Sequence, residues 1–220
     1  MIYVIDLLND EDLEYVNDLY DHSDFSNGLY GGKLNNDVKN TNELVGFEYK
    51  TLREYIASRL QQSSEYKNIT SSKYFDGFIF SKYESGMHYS VHNDNYVAGR
   101  IRTDFSNTIF LNSPDEYQGG ELMLRVGNQD LLYKLKAGQC IIYPTGLVHE
   151  VKPIASGVRR VCIFWTESEI GDATARHIMG DFNSLWSKYS DDLYKKVGDD
   201  FAIQLQNIRF RLMRKYGNFS

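Results

Sequence analysis

The chain has 220 residues, a length that suits a single domain with a substantial hydrophobic core. Hydrophobic residues make up 42% of the sequence, so its composition is not that of a disordered chain. No apolar run approaches the roughly 20 residues that a membrane-spanning helix needs. The net charge is −6, and no block of Lys and Arg indicates binding to nucleic acid. We therefore expect neither a membrane nor a nucleic acid among the partners.

The first residues and the cysteines bear on the cellular compartment. Residues 1–6 carry neither the basic region nor the cleavage site of a signal peptide, so we expect a cytoplasmic protein. Cys140 and Cys162 both lie in apolar, strand-like runs. We expect buried, reduced thiols there rather than a disulfide.

Residues 1–72 are predicted to form helical support for the rest of the chain. Asn9 is a candidate N-cap of a first helix, with Asp12 as an acid in its first turn. Apolar residues at helical spacing then predict two helices, one with Leu13, Val16 and Tyr20 and one with Leu44, Phe47, Leu52, Ile56 and Leu60. Residues 22–43, between the stripes, are rich in Asn, Gly and Asp and are predicted to form a long functional loop.

Residues 73–166 carry short β-branched and aromatic runs that are separated by turn residues. The predicted strands are 74–83, 87–94, 105–112, 121–126, 130–136, 139–143, 147–153 and 158–166. Eight short strands at this spacing predict a mainly β fold with flanking helices, built on an antiparallel jelly roll.

Residues 167–220 return to a helical period. One predicted stripe contains Ile178, Phe182, Leu185 and Tyr189, and a second contains Phe201, Leu205, Ile208, Leu212 and Tyr216. Both are predicted to be packing faces that hold a helical cap against the sheet. The whole chain, 1–220, is thus predicted to be one domain.

A candidate metal site lies in the strand region. His92 and Asp94 are two residues apart, so an extended strand would point both side chains to one face. An H-x-D pair alone is more often a solvated surface pair, but His149 in another predicted strand offers a third ligand. Two histidines and one carboxylate leave coordination positions open, as in non-haem Fe(II) oxygenases, whereas a structural zinc site usually has four ligands.

Arg159 adds to this pattern ten positions after His149. Strand alternation places Arg159 on the same face as Val161, Ile163 and Trp165, and places Arg160 on the opposite face as a solvated charge. An inward arginine is costly to bury without an anion. It can grip a carboxylate with two parallel hydrogen bonds, so a dicarboxylic co-substrate would satisfy it.

Several ordered motifs carry a family resemblance. They are Tyr83-x2-Gly86-x2-Tyr89-x2-His92-x-Asp94-Asn95, Arg102-x-Asp104-x-Ser106-x-Thr108-x-Phe110-Leu111, Pro114-x2-Tyr117-x-Gly119-Gly120-Glu121-Leu122, Tyr143-Pro144, His149-Glu150-Val151-x-Pro153, Gly157-x-Arg159 and Phe164-Trp165-x2-Ser168. In this order they resemble the PKHD-type hydroxylases, a group of the prolyl-4-hydroxylase-like Fe(II)/2-oxoglutarate-dependent oxygenases. The resemblance covers most of the chain and is strongest over residues 83–168.

The resemblance implies a double-stranded β-helix core and assigns roles to residues. His92, Asp94 and His149 are implied to be the iron ligands and catalytic centre, and Arg159 is implied to anchor the distal carboxylate of 2-oxoglutarate. Tyr83, Tyr89 and Thr108 match positions that line the co-substrate pocket, although each is equally well explained as a core residue. Trp165 matches an aromatic pocket wall, for which packing is an alternative.

The implied cofactors are Fe(II), 2-oxoglutarate as co-substrate and O2, with ascorbate as an optional reductant. The implied reaction hydroxylates an unactivated C–H bond and releases succinate and CO2. Asp94 stands where 2-oxoglutarate-dependent halogenases have a small residue, which favours hydroxylation. Phe110 stands where some animal prolyl hydroxylases have a tyrosine, and Thr108, on the same strand face, could supply the missing hydroxyl. Relatives of this kind occur in bacteria and bacterial viruses, so a bacterial or viral host cytoplasm is expected.

The substrate is left open between a prolyl or other peptidyl side chain and a free small molecule. Residues 22–43 and 95–104, the latter with Tyr96, Arg100 and Arg102, are candidate substrate lips. Arg102 and Asp104 are alternatively a structural ion pair. Two further alternatives are a non-catalytic sensor that binds 2-oxoglutarate or metal, and a cupin-like metalloenzyme without 2-oxoglutarate. His22, His88 and His177 lie outside the pattern, and the oligomeric state is not predicted.

Overall fold

Two antiparallel β-sheets face each other in a computed structural model that describes residues 1–27, 39–45 and 47–218. The strands are β1 (Tyr3–Asp6), β2 (Asp24–Asn27), β3 (Lys39–Asn40), β4 (Asn42–Val45), β5 (Ser72–Tyr83), β6 (His88–His92), β7 (Val97–Ala98), β8 (Ile101–Arg102), β9 (Phe105–Phe110), β10 (Tyr117–Gly119), β11 (Leu122–Val126), β12 (Gln129–Tyr133), β13 (Gln139–Pro144), β14 (His149–Val151), β15 (Ile154–Gly157) and β16 (Arg159–Ser168). The helices are α1 (Asp10–Asp21), α2 (Phe47–Gln62), α3 (Ser64–Thr70), α4 (Ala173–Lys196) and α5 (Asp199–Tyr216), with a 3-10 turn at Pro114–Glu116.

The strand order confirms the predicted jelly roll with flanking helices. The larger sheet has the order β1-β13-β9-β16-β5-β4-β2, and the smaller has the order β12-β11-β14-β6-β3. Two short pairs, β10-β15 and β7-β8, close the ends. Each of the eight predicted strands overlaps an observed strand. One hydrophobic cluster lies between the two sheets and includes Tyr83, Phe110 and Tyr143.

The N-terminal residues also contribute strands, which the prediction of helices and a loop missed. β1 pairs with β13 at the edge of the larger sheet, and β4 pairs with β5. Leu44, assigned to the second helix, lies in β4, and the ends of the predicted 22–43 loop form β2 and β3. Residues 28–38 of that loop lie outside the described residues. Strands of two to four residues are too short to show a period-2 pattern in the sequence.

The helices α1, α2 and α3 cover the outer face of the larger sheet, where they share a second hydrophobic cluster with it. The predicted cap of α1 is confirmed: the Asp12 amide donates to Asn9 Oδ1 at 2.9 Å and the Asn9 amide donates to Asp12 Oδ2 at 3.0 Å. This reciprocal capping box satisfies two backbone donors at the helix start. Cys140 and Cys162 are free, buried thiols in this cluster, as expected.

The C-terminal helices pack differently from the prediction. The buried side of α4 consists of Ala175, Met179, Gly180 and Asn183, whereas three members of the predicted stripe, Ile178, Leu185 and Tyr189, are 51%, 60% and 44% exposed. In α5, Phe201 and Ile208 are about half exposed, while Leu212 and Tyr216 do pack against α4.

The packing prediction for these stripes is therefore wrong in large part. α4 approaches α3 through a small residue, since a Cβ on Gly180 would lie 2.9 Å from the Ile69 carbonyl oxygen. A helix that packs through small and polar side chains leaves its most apolar stripe outside, and hydrophobic periodicity then indicates the wrong face. No helix in the described ranges is both long enough and apolar enough to cross a membrane.

Candidate active site

His92, Asp94 and His149 come together between the two sheets. His92 ends β6 and His149 begins β14, and the two residues are direct partners in the antiparallel pairing of these strands. Asp94 follows two residues after His92, just beyond the strand. One nitrogen or oxygen atom from each of the three residues lies within 4.8 Å of the other two. The structure therefore brings together all three predicted metal ligands.

Both imidazole rings are oriented by backbone carbonyl groups. His92 Nδ1 lies 2.7 Å from the Ser90 oxygen, and His149 Nδ1 lies 2.9 Å from the Leu147 oxygen. A carbonyl oxygen only accepts, so Nδ1 carries the proton in each ring and Nε2 keeps its lone pair. These lone pairs point towards Asp94, at 3.8 Å from Oδ1 for His92 and 3.7 Å from Oδ2 for His149. Three electron-pair donors that converge at these distances suit a cation between them.

Two side chains hold Asp94 through a single oxygen. Ser106 Oγ donates to Asp94 Oδ2 at 2.6 Å, and Trp165 Nε1 donates to the same oxygen at 3.0 Å. Ser106 in turn lies 3.1 Å from Thr145 Oγ1. The other carboxylate oxygen, Oδ1, accepts no hydrogen bond from the described residues and is free to bind a metal. The sequence pattern did not predict this role for Ser106, and it predicted Trp165 only as a pocket wall.

Arg159 lies at the inner end of the same cavity, on the face that strand alternation predicted. It is 1% exposed, and it forms no ion pair with any carboxylate of the described residues. Its Nε and Nη1 atoms are buried without a hydrogen-bond acceptor in the described part of the chain. The guanidinium carbon lies 5.2 Å from the ring centre of Tyr83 and 5.3 Å from that of Phe110. Aromatic faces stabilise a cation only partly, so the buried donors suit an anionic ligand.

A glycine pair makes room for Arg159. Gly120 has a φ of +68°, and a Cβ there would lie 2.3 Å from Ile154 Cδ1 and 3.1 Å from Arg159 Cδ. At Gly119, with a φ of +77°, a Cβ would lie 2.2 Å from the Pro153 carbonyl oxygen. Both positions therefore exclude side chains. The Gly-Gly motif thus lets β10 and β15 close against the arginine.

The cavity between the triad and Arg159 has a volume of about 190 Å³. Its lining includes all three hydroxyl residues that the resemblance indicated, Tyr83, Tyr89 and Thr108. The Tyr89 ring stacks on His92 with ring centres 3.6 Å apart. Burial raises the pKa of Tyr89 to about 12, so its hydroxyl keeps its proton. Tyr143, which the prediction did not single out, also lines the cavity, and burial raises the pKa of its hydroxyl as well.

The predicted 95–104 lip contains the β7–β8 hairpin at the cavity mouth. Val97, Ala98 and Gly99 line the cavity, and Tyr96 is 84% exposed. Arg102 binds both carboxylate oxygens of Asp104, at 2.7 Å for the shortest contact, and also donates to the Ser168 carbonyl oxygen at 2.9 Å. These bonds support the structural reading of the Arg102–Asp104 pair.

Two further expectations concern charges outside the cavity. Arg160 is not a solvated charge, because it forms an ion pair with Asp21 at 2.7 Å and is only 24% exposed in its side chain. This contact ties β16 to α1, which the sequence of one strand does not reveal. His22, His88 and His177 lie outside the metal-ligand cluster, consistent with the prediction.

Comparisons with known proteins place this fold and site in a class. A jelly roll that carries two histidines, one aspartate and a buried arginine has the donor set of non-haem Fe(II) oxygenases. A family model described as the 2OG-Fe(II) oxygenase superfamily matches residues 78–167. A PKHD-type hydroxylase of Crocosphaera subtropica is 34% identical over 84% of this chain and 86% of its own, and one of Thermosynechococcus vestitus is 32% identical over 98% and 99%. The chain therefore belongs to the PKHD-type hydroxylases of the 2OG-Fe(II) oxygenase superfamily, and it is a hydroxylase.

Solved structures agree with the fold. A prolyl hydroxylase of Trichoplax adhaerens, in complex with a peptide fragment of the hypoxia inducible factor oxygen degradation domain, aligns with a TM-score of 0.57 and 20% identity over 76% of this chain and 84% of its own. A Pseudomonas putida prolyl-4-hydroxylase aligns with a TM-score of 0.53 and 15% identity over 76% and 92%. At these identities the likeness concerns the fold alone.

Proposed function

We propose that His92, Asp94 and His149 bind Fe(II), and that Arg159 binds the distal carboxylate of 2-oxoglutarate. The observation that carries the proposal is the buried guanidinium of Arg159, whose Nε and Nη1 atoms have no acceptor among the described residues. It shares one cavity with the three converging metal donors. A co-substrate with a chelating end and a carboxylate end would satisfy both ends of the cavity.

When bound, Fe(II) with 2-oxoglutarate and O2 supplies the oxidising chemistry that yields succinate, CO2 and a hydroxylated C–H bond. The protein orients the reactants for it. Asp94 would bind the metal while Ser106 and Trp165 hold its Oδ2, and Tyr89 stacks on the His92 ring and orients it. Tyr83 and Phe110 hold the Arg159 guanidinium between them.

Hydroxyl and apolar groups complete the co-substrate pocket. Thr108 and Tyr143 line the cavity with side chains that carry hydroxyl groups, whereas Phe110 has no hydroxyl. We propose that these two hydroxyls bind 2-oxoglutarate together with the hydroxyls of Tyr83 and Tyr89. Leu122, Val151 and Ile163 form apolar walls that exclude water from the reacting atoms. Ascorbate as an auxiliary reductant stays a prediction, to be tested by adding it to the turnover assay.

We further propose that the substrate is a prolyl or other uncharged peptidyl side chain. Apart from the triad and Arg159, the described residues that line the cavity are uncharged, which suits an uncharged substrate group. The mouth is partly apolar: Val97, which lines the cavity, is 45% exposed, and its neighbour Tyr96 is 84% exposed. The peptide in the Trichoplax enzyme's structure supports this choice by analogy.

The same proposal covers the chain as a whole. Because strands from the N-terminal residues complete both sheets, we propose that residues 1–220 act as one domain. We also propose that this domain acts in the cytoplasm.

A substrate screen tests the choice of a peptide. Fe(II)-loaded protein is incubated in air with 2-oxoglutarate and a library of proline-containing peptides, and the products are analysed by mass spectrometry. We expect selected peptides to gain one oxygen atom, and the gain to be absent with His92→Ala. Oxygen gain in small metabolites of a cell extract, without any in peptides, would instead establish hydroxylation of a free small molecule.

A further inference from the structure

The outer side of α4 carries an apolar stripe, and three of its four members are more than 40% exposed. Its members, Ile178, Phe182, Leu185 and Tyr189, occupy one side of the helix, and Leu185 is 60% exposed. The opposite side of α4 is already packed against α3 and α5. Contiguous exposed apolar side chains on an otherwise polar helix are typical of a protein–protein contact.

The spacing of the stripe is the same in both chain directions. The intervals between its four members are four, three and four residues. Alternating spacings of three and four residues occur where two helices pack side by side along a common seam. Because the order of intervals is symmetric, two copies of α4 that run antiparallel would bring Ile178 opposite Tyr189 and Phe182 opposite Leu185.

The charges beside the stripe fit the same arrangement. Asp181 and Lys188 are both exposed and lie seven residues apart, on one edge of the stripe. The midpoint between them is one residue from the midpoint of the stripe. In an antiparallel pair each Asp181 therefore lies beside Lys188 of the second copy, which gives two reciprocal ion pairs across a two-fold axis. In a parallel pair, the Asp181–Lys188 edge of one helix would instead face the opposite edge of the second helix. That edge carries Ala175, Met179 and Trp186, none of which is charged.

We propose that the protein forms a two-fold dimer in which the Ile178–Tyr189 stripes of two α4 helices pack antiparallel. The proposal does not depend on the reaction catalysed. The twelve residues from Ile178 to Tyr189 span about 17 Å of helix, so the contact is small. We therefore expect a weak dimer.

Sedimentation velocity over a concentration series tests the dimer. We expect the mass of the 220-residue protein to rise from the monomer value of 25.5 kDa towards twice that value. Leu185→Glu should raise the dissociation constant by about 100-fold or more, because both copies lose a buried leucine at the seam. Leu132→Glu is the matched control, since Leu132 on β12 is 59% exposed and lies away from α4. A wild-type protein that stays monomeric, or equal effects of the two variants, would overturn the proposal.

Charge exchange then tests the orientation. Asp181→Lys alone and Lys188→Asp alone should each weaken the dimer, because like charges then face each other across the axis. The double variant D181K/K188D restores the pairing and should restore the wild-type dissociation constant within about threefold. If the double variant dissociates as readily as either single one, the antiparallel arrangement is wrong.

Discussion

Replacing Arg159 with methionine should abolish binding of 2-oxoglutarate and leave the ligand-free protein as stable as before. Unchanged stability is unusual when a residue that is only 1% exposed is replaced. We expect it here because Nε and Nη1 of Arg159 have no hydrogen-bond acceptor among the described residues. In the ligand-free protein the guanidinium is desolvated and has no counter-ion among the described residues. Methionine has a similar length and is apolar, so the substitution removes an unpaired buried charge.

The two magnitudes can be worked from the contacts. Each hydrogen bond from a charged group contributes about 1.5–3 kcal/mol, so two bonds to a carboxylate contribute about 3–6 kcal/mol. Their loss weakens binding by at least about 100-fold. Relief of the buried charge favours the variant by about 1–4 kcal/mol, while the lost contacts with Tyr83 and Phe110 cost about 0.5–2 kcal/mol each. These terms nearly cancel, and about 1 kcal/mol shifts the Tm of a chain of this size by roughly 2–4 °C.

Thermal unfolding with Mn(II) in place of Fe(II), with and without 2-oxoglutarate, measures both effects. The wild-type Tm should rise when 2-oxoglutarate is added, because a concentration 100 times Kd stabilises the folded protein by about 2.7 kcal/mol. The Tm of the variant should not rise. Arg160→Met is the control: it breaks the ion pair with Asp21 but keeps the response to 2-oxoglutarate. A variant Arg159→Met that loses several kcal/mol of stability and still responds to 2-oxoglutarate would refute the assigned role.

Three further outcomes are expected. Gly120→Ala should weaken 2-oxoglutarate binding, measured by calorimetry, by about tenfold or more, because its Cβ would meet Ile154 and Arg159. The control Gly127→Ala should leave this affinity unchanged, because Gly127 has a similar φ but nothing within 4 Å of its Cβ position. Ser106→Ala and Trp165→Phe should each weaken Mn(II) binding by about 10- to 100-fold, while the control Trp186→Phe should not. Unchanged Mn(II) affinity in the first two variants would show that Ser106 and Trp165 do not orient Asp94. Burial raises the pKa of Tyr66 above its usual value of 10, so the folded protein keeps a proton that the unfolded chain releases near pH 10. The contribution of Tyr66 to the free energy of unfolding should therefore be constant below about pH 10 and fall above it, and urea titrations should show a smaller fall for Tyr66→Phe.

The placement of His92, Asp94 and Arg159, which we propose bind the metal and the co-substrate, could be predicted from the sequence because their signals are local. His92 and Asp94 are two residues apart, and the alternation along β16 is enough to point Arg159 into the cavity. The jelly roll followed from strand lengths and turn residues in the same way. Each of these inferences needs only the period of one strand or the spacing of neighbouring strands.

The contacts that orient Asp94 could not be predicted in that way. Ser106 and Trp165 are 12 and 71 residues from Asp94 along the chain, and they meet it only because β9 and β16 pair in one particular register. The face of α4 was predicted wrongly for a related reason. Gly180 and Asn183 carry no hydrophobic signal, but they decide which side of the helix touches α3.

We propose that this chain couples the decarboxylation of 2-oxoglutarate to an iron site built from His92, Asp94 and His149. The most direct test of this proposal is succinate formation from 2-oxoglutarate by protein loaded anaerobically with Fe(II) and then exposed to air. We expect succinate formation to require iron and to be lost in Asp94→Ala. Asp130→Ala, which removes an exposed aspartate of the β11–β12 hairpin, should form succinate like the wild type. Succinate formation that continues at the wild-type rate in Asp94→Ala would contradict the account.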